Sequence, residues 1–180
     1  MRTKDTLVSL RCAAAVLFVA VASAAFGQSG QAGAQLRISG DVEKPLTLSA
    51  EDLKSLPRTT LRVMNTHSGM NESYEGVRLI EVLQRAGVPL GEKLREPAMA
   101  TYVLASARDG YRVLFSLPEL DPAFDDSEVL IADTLDGAKL GEQEGPYKLV
   151  VPHDKRPARW IRILQSIQVV RLMAPQGEKK

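Results

Sequence analysis

The chain has 180 residues, with 23 lysines and arginines against 22 aspartates and glutamates, and a formal net charge of +1 at pH 7. Binding to nucleic acid needs a broad basic face, so this near-neutral balance argues against a nucleic-acid partner. The length suits one domain with a hydrophobic core.

The N-terminal segment has the pattern of an export signal. Residues 1–11 carry three basic side chains and one acidic one, and residues 13–26 are apolar and rich in small residues. A basic segment before an apolar run too short to span a bilayer comfortably is typical of a signal peptide. We expect residues 1–27 to be removed and the mature protein to be periplasmic. Cleavage after Ala24 and an uncleaved anchor are the alternatives.

The predicted cleavage removes Cys12, the only cysteine. The exported chain is therefore expected to have no disulfide, no thiolate nucleophile and no thiolate metal ligand. Residues 28–35 are rich in Gly, Ser, Gln and Ala and predict a flexible linker. Residues 36–172 are predicted to form one domain, and residues 173–180 a disordered tail.

The first half of this domain predicts strands and two short helices. Alternating apolar and polar residues predict strands at 36–39, 45–48, 59–65 and 73–77, the last two joined as a hairpin. Ser49 is a suitable N-cap for a helix over 49–56, whose first turn is acidic. A second helix over 79–86 ends at Gly87.

The second half continues in strands. Apolar runs predict strands at 99–105, 111–115, 129–132, 147–151 and 167–170. Asp109-Gly110 and Asp136-Gly137 are strong turn signals, and residues 117–120 predict one helical turn. Many strands with scattered short helices indicate an α+β fold with mixed or antiparallel sheets.

A basic loop follows the strand at 147–151. Arginine offers planar, forked donors for phosphate or carboxylate, and tryptophan offers a flat face for a ring. A solvated loop whose cations pair with nearby carboxylates is the alternative. We expect charge reversal at Arg156 or Arg159 to weaken the binding of an anionic ligand more than it destabilises the fold. The candidate ligand-binding residues in this loop are His153, Asp154, Lys155, Arg156, Arg159 and Trp160.

Several ordered pieces of the chain resemble one family. They are the segment 38–53, Tyr74-Glu-Gly-Val-Arg-Leu, Asp109-Gly-Tyr, Val129-Leu-Ile-Ala before Asp136-Gly, and Glu144-Gly-Pro-Tyr-Lys-Leu-Val-Val-Pro before Arg159-Trp. Together, over about residues 36–172, they resemble the molybdopterin-binding domain of the sulfite oxidase type. The resemblance implies that family's α+β fold, with short peripheral helices. It also implies that Lys155, Arg156 and Arg159 of the last loop bind an anionic cofactor.

The chain departs from this family at the metal ligand. Enzymes of the family coordinate molybdenum through a cysteine on the strand before the Tyr-x-Gly-Val piece, but residues 61–71 contain none. Met64 and His67 are neutral and do not replace a thiolate faithfully. We therefore expect no bound molybdenum and assign no catalytic residue.

The family includes small exported proteins that lack the cysteine, bind a free pterin and in some cases signal to a membrane partner. This chain resembles that type. A pterin ring needs a flat contact, for which Trp160 or Tyr111 is suitable. It also needs an acceptor for its N–H edge, for which Asp109 or Asp133 is suitable.

Each of these contacts has a structural alternative, and two other functions remain open. Trp160 and Tyr111 are also explained by packing, Asp109 by its turn, and Asp133 by a cap or a pair with Arg159. The function that we favour is periplasmic pterin binding or sensing without turnover. The alternatives are a molybdopterin-dependent oxidoreductase with changed metal coordination and an interaction protein that binds no pterin. No hydrolase, phosphate-loop or metalloprotease motif is present in the sequence.

Overall fold

The computed structural model describes residues 34–65 and 69–173. The predicted signal peptide, nearly all of the predicted linker and tail, and His67 lie outside the described residues. Within the described residues, no helix is both long and apolar enough to cross a membrane.

The described residues form an α+β fold, as predicted. The helices are α1 (Ala50–Lys54) and α2 (Leu79–Arg85), and the remaining short helices are single 3₁₀ turns. The strands are β1 (Leu36–Gly40), β2 (Leu46–Leu48), β3 (Arg58–Met64), β4 (Asn71–Arg78), β5 (Thr101–Ala107), β6 (Arg112–Ser116), β7 (Leu130–Leu135), β8 (Ala138–Lys139), β9 (Lys148–Val150) and β10 (Leu164–Arg171).

The strands form two sheets. The first has the order β2-β1-β10-β5-β6, and β1 runs parallel to β10 while the other pairs are antiparallel. The second has the order β3-β4-β7-β8, and β9 also pairs with β7. The predicted hairpin is present as β3–β4. Strands β5 and β6 pair across the predicted Asp109-Gly110 turn, and the short strand β8 was not predicted.

Ser49 and Asp52 begin helix α1 in the way the sequence predicts. The Asp52 backbone N–H donates to Ser49 Oγ at 3.2 Å, and the Ser49 backbone N–H donates to Asp52 Oδ2 at 2.9 Å. These bonds satisfy backbone donors that a helix start leaves unpaired. Hydrogen bonds from the backbone and then the side chain of Ser49 lower the pKa of Asp52.

The core consists of two clusters of buried side chains. The larger lies among β1, α2, β5 and β10 and includes Ile38, Leu83 and Ile167, each no more than 1% exposed. The smaller lies on the second sheet around Tyr74 and Leu130. Partly buried Trp160 packs against both clusters. The indole therefore lies where the basic loop meets the second sheet.

Candidate functional site

A cavity of about 710 Å³ lies between the β3–β4 hairpin and the loop that follows β9. Strand β3 contributes Arg62 and Met64, and strand β4 contributes Glu72 and Tyr74. The other lining residues used below are Glu144, Lys148, Asp154, Lys155, Trp160 and Arg162. The long connection 151–163 thus closes over one end of the second sheet.

Lys148 is a buried cation at this cavity. Its Nζ donates to the Tyr74 hydroxyl at 2.8 Å and to Glu144 Oε1 at 2.7 Å. The same nitrogen lies 4.7 Å from the centroid of the Tyr74 ring and 5.6 Å from that of Trp160. The two rings meet edge to face, with centroids 5.9 Å apart and an interplanar angle of 86°. Ion pairing and ring contacts together compensate for the burial of this charge.

The Tyr74 hydroxyl has a fixed direction. It donates to Glu72 Oε2 at 2.8 Å, and Asn65 Nδ2 donates to the other oxygen, Glu72 Oε1. Burial first, and then the hydrogen bond to Glu72, raises the pKa of Tyr74 well above its usual range. The phenol therefore stays neutral, and accepts from Lys148 while it donates to Glu72.

The indole of Trp160 is also held in place. Its Nε1–H donates to the Val151 carbonyl oxygen at 2.8 Å, which satisfies its single donor. The indole is consequently available as a rigid, flat wall that needs no hydrogen bond from a ligand.

Three exposed cations surround the cavity. Arg62, Lys155 and Arg162 have no ion pair within the part of the chain that the structure describes. The acidic lining residues Glu144 and Asp154, in contrast, each pair with a basic side chain. Glu72, the third acidic lining residue, accepts only from the neutral donors Asn65 and Tyr74. The three unpaired cations outnumber this one carboxylate, so the unpaired charge at the cavity is positive on balance, which favours an anionic ligand.

Arg159 fastens the loop instead of lining the cavity. Its Nε and Nη2 donate to the two carboxylate oxygens of Asp154 at 2.9 and 2.6 Å, and Nη1 lies 3.4 Å from Glu119 Oε1. The guanidinium carbon lies 4.7 Å from the centroid of the Phe115 ring. The hydrogen bond to Asp154, more than any other contact, raises the pKa of Arg159. These contacts give Arg159 a structural role in the loop, and its predicted contact with a ligand stays a prediction.

We expect Arg159→Met to lower the free energy of unfolding by about 1 kcal/mol, because a partly exposed bidentate pair and a ring contact are lost together. That corresponds to a fall of about 3 °C in the thermal midpoint. Arg156→Met is the matched control, since Arg156 is exposed, and its midpoint should not change. Equal midpoints for the two variants would contradict the structural role.

The remaining residues of the predicted loop separate into two groups. Asp154, Lys155 and Trp160 line the cavity. His153 and Arg156 are exposed and line neither this cavity nor the smaller one described next.

Asp109 and Tyr111 lie at the neighbouring cavity, of about 270 Å³, which shares Trp160 and Arg162 with the larger one. The Tyr111 hydroxyl donates to the Ala158 carbonyl at 2.6 Å. Asp109 Oδ1 accepts from the Tyr111 backbone N–H at 3.0 Å, which is the turn role given as its alternative.

Asp133 forms an ion pair with Arg58 and lines neither cavity. Arg58 donates to its two oxygens at 2.7 and 2.8 Å, and Thr134 Oγ1 donates at 2.8 Å. Burial by itself raises the pKa of Asp133, but the bonds from Arg58 and Thr134 outweigh it, so the pKa lies below its usual range. Asp133 therefore pairs with Arg58. A pair with Arg159 was one of the two structural alternatives that the sequence left open, and it is not formed.

This pair predicts an acid-sensitive contribution to stability. A carboxyl group whose pKa is lowered by folding stabilises the protein above its unfolded-state pKa of about 4, and the contribution is lost as the pH falls through the folded-state pKa. Asp133→Asn should lower the free energy of unfolding by about 1–2 kcal/mol at neutral pH. The difference in the free energy of unfolding between wild type and Asp133→Asn should become smaller below about pH 4. Denaturant unfolding across this range measures it, with exposed Asp126→Asn as the control; a gap independent of pH would contradict the assignment.

Sequence reasoning missed Arg62, Glu72, Tyr74 and Lys148 as site residues. Lys148 left one usable signal, because it is a charged residue within the apolar run 147–151. A buried lysine is expected to have specific partners. Arg162 is exposed and lines both cavities.

The cavity fits the organic part of a pterin cofactor but offers no thiolate to a metal. Residues 34–65 and 69–173 contain no cysteine, and they hold no group of three His, Cys, Asp or Glu side chains able to bind a metal ion. Where the family resemblance implies a cysteine, the cavity wall is formed by Val63, Met64 and Asn65. The flat wall of Trp160 and the unpaired cations match a ring with an anionic substituent.

Comparison with known proteins identifies the family of this chain. Residues 28–176 match the family model described as "Oxidoreductase molybdopterin binding domain". The chain is 29% identical over 137 residues to "Uncharacterized oxidoreductase YuiH" of Bacillus subtilis (strain 168), covering 72% of this chain and 63% of that protein. The crystal structure of the sulfane dehydrogenase SoxCD from Paracoccus pantotrophus is similar, with a TM-score of 0.60 and 25% identity, over 76% of this chain and 38% of that one. The chain thus spans less than two thirds of the length of either relative.

Proposed function

Because the chain belongs to the oxidoreductase molybdopterin-binding domain family, as its sequence pattern predicted, we propose that the 710 Å³ cavity binds a molybdopterin-type ligand. Arg62, Lys155 and Arg162 hold its anionic substituent, and Trp160 contacts the ring. When bound, a molybdopterin carries the metal's redox chemistry. The residues of this chain bind and orient its organic part.

One observation carries the proposal: the acids Glu144 and Asp154 are neutralised by Lys148 and Arg159, and the three exposed cations without an ion pair outnumber the one remaining lining carboxylate, Glu72. A cation without a partner beside a flat aromatic wall is matched by an anion attached to a planar ring. Arg62, Lys155 and Arg162 are exposed to solvent, which suits a ligand that enters from solvent.

The finer part of the proposal is that the ligand is carried or sensed as a pterin, without molybdenum turnover. Its support is the lack of cysteine in the part of the chain that the structure describes. We propose further that cleavage after Gly27 delivers the domain to the periplasm, and that a membrane signalling protein is its partner. The basic and apolar pattern of residues 1–27 supports export.

A molybdopterin-dependent oxidoreductase is the second candidate. It is favoured by the names of the two relatives, one an oxidoreductase and one a dehydrogenase. In this case residues 34–65 and 69–173 supply no thiolate to the metal, and their contribution is again confined to the organic part of the cofactor.

Intrinsic fluorescence tests ligand binding directly, because Trp160 is the only tryptophan in the chain. Pterin-6-carboxylate, a flat anion, should quench it saturably at micromolar concentration. Arg162→Glu should weaken binding about tenfold or more, since it replaces an attractive contact with a repulsive one. Arg37→Glu, on an exposed position of β1, is the matched control. Absence of saturable quenching in the wild-type protein would refute the proposed site.

Metal analysis separates the two candidate functions. Protein exported from a host that makes molybdopterin is purified and its molybdenum content measured. Substoichiometric metal with bound pterin is expected for carriage or sensing. Stoichiometric molybdenum with substrate-dependent electron transfer would establish the oxidoreductase instead.

A further inference from the structure

We propose that Glu72, Tyr74 and Lys148 recognise the lactam edge of the bound heterocycle, a ring N–H beside a ring carbonyl, and so select 4-oxopteridines over 4-aminopteridines. The inference rests on the proposed function and specifies the ligand of the same cavity. It depends on which hydrogen-bonding groups the three side chains leave available.

Glu72 supplies the acceptor. One of its oxygens accepts from Asn65 Nδ2 and the other from the Tyr74 hydroxyl. An ionised carboxylate offers about four acceptor positions, so acceptor capacity remains. Glu72 is half-buried and lines the cavity. The 2-amino group and ring N–H of a pterin provide two parallel donors for such a carboxylate.

Lys148 supplies the donor. Its ammonium has three N–H groups, and two of them bond to Tyr74 and Glu144 within the described residues. The residue is 6% exposed and lines the cavity. A ligand carbonyl is a suitable acceptor for the third N–H, because the group is charged and shielded from solvent.

Tyr74 sets the order and spacing of the two groups. Its oxygen lies 2.8 Å from Glu72 Oε2 and 2.8 Å from Lys148 Nζ. Glu72 Oε2 and Lys148 Nζ can therefore lie no further apart than twice that distance. In a lactam the N–H and the carbonyl oxygen are attached to adjacent ring atoms, so one edge can address both groups. In a 2,4-diaminopteridine an amino group replaces the carbonyl and would face the ammonium.

Two ligands with the same anionic substituent test this selection. Pterin-6-carboxylate and 2,4-diaminopteridine-6-carboxylate are titrated at neutral pH, with quenching of Trp160 as the signal. We expect the diamino compound to bind roughly tenfold or more weakly, since a hydrogen bond to a charged donor is lost. Equal affinities would overturn the edge assignment and leave the proposed function intact. Quenching by neither compound would refute the proposed function itself.

A conservative variant tests the acceptor. Glu72→Gln keeps the shape of the side chain, but it replaces one acceptor oxygen with an NH₂ donor. We expect about tenfold weaker binding of pterin-6-carboxylate, with Glu92→Gln, at an exposed position outside the cavity, as the control. Thermal unfolding reports whether the variant is folded. Unchanged affinity in folded Glu72→Gln would overturn the role of Glu72 as the acceptor.

Discussion

Replacing Gly76 by alanine is expected to lower the free energy of unfolding by more than about 3 kcal/mol, or to prevent folding. A Cβ at this position would lie 2.0 Å from the Ile131 carbonyl oxygen and 2.7 Å from the Cα of Ala132. Both atoms belong to the backbone of β7, so no side-chain rotation can relieve the contact. The pairing of β4 with β7 would have to open.

Gly141→Ala is the matched control, because its Cβ would meet no atom within 4 Å. It should leave stability unchanged or raise it slightly, since alanine restricts the unfolded chain. Urea unfolding of both variants measures the difference. A Gly76→Ala protein as stable as wild type would show that β4 and β7 do not pack as closely as the structure describes.

Gly76 also explains one piece of the family pattern in physical terms. The register of β4 against β7 shifts between Glu75 and Gly76, which indicates a bulge or irregularity. Tyr74 lies two residues before the close approach, and the local geometry of β4 directs its side chain into the cavity. The sequence Tyr74-Glu-Gly-Val thus combines a residue that lines the cavity with the glycine that permits its position.

The sequence predicted local structure well because local causes determine it. Ser49 caps α1 through bonds that span three residues, and alternation along β5 identifies its buried face. The β7–β8 pairing was missed because two residues of strand carry too little pattern. The parallel pairing of β1 with β10 joins the two ends of the described chain, and no short-range signal predicts it.

The site was predicted only in part because charge is visible in a sequence but pairing is not. Arg159 and Lys155 are both basic by sequence. Arg159 forms ion pairs with Asp154 and Glu119, whereas Lys155 has no ion pair among the described residues. By sequence Asp133 is a chemically sensible acceptor for a ligand, but in the structure it accepts from Arg58, 75 positions away along the chain. The second sheet contributes Glu72 and Tyr74, which only the tertiary fold brings to the loop.

Lys148→Met is expected to weaken binding of pterin-6-carboxylate by about 10- to 100-fold, which is the range for a lost hydrogen bond from a charged donor. Stability should fall by only about 1 kcal/mol. Glu144 is 32% exposed and can be hydrated when its partner is removed. The methionine can also retain contacts with the rings of Tyr74 and Trp160.

Affinity and thermal midpoint measured on the same protein distinguish a binding role from a structural one. Lys139→Met, at an exposed position on β8, controls for the loss of one positive charge from the whole molecule. The preference for the 4-oxo over the 4-amino ligand should also shrink in Lys148→Met, because the side chain that distinguishes a carbonyl from an amino group is gone. A large fall in the midpoint with normal affinity in the folded fraction would make Lys148 a structural residue. A general loss of positive charge weakens the binding of both ligands equally, whereas a directed N–H distinguishes a carbonyl from an amino group. An unchanged preference between the ligands would therefore show that Lys148 does not cause the selectivity.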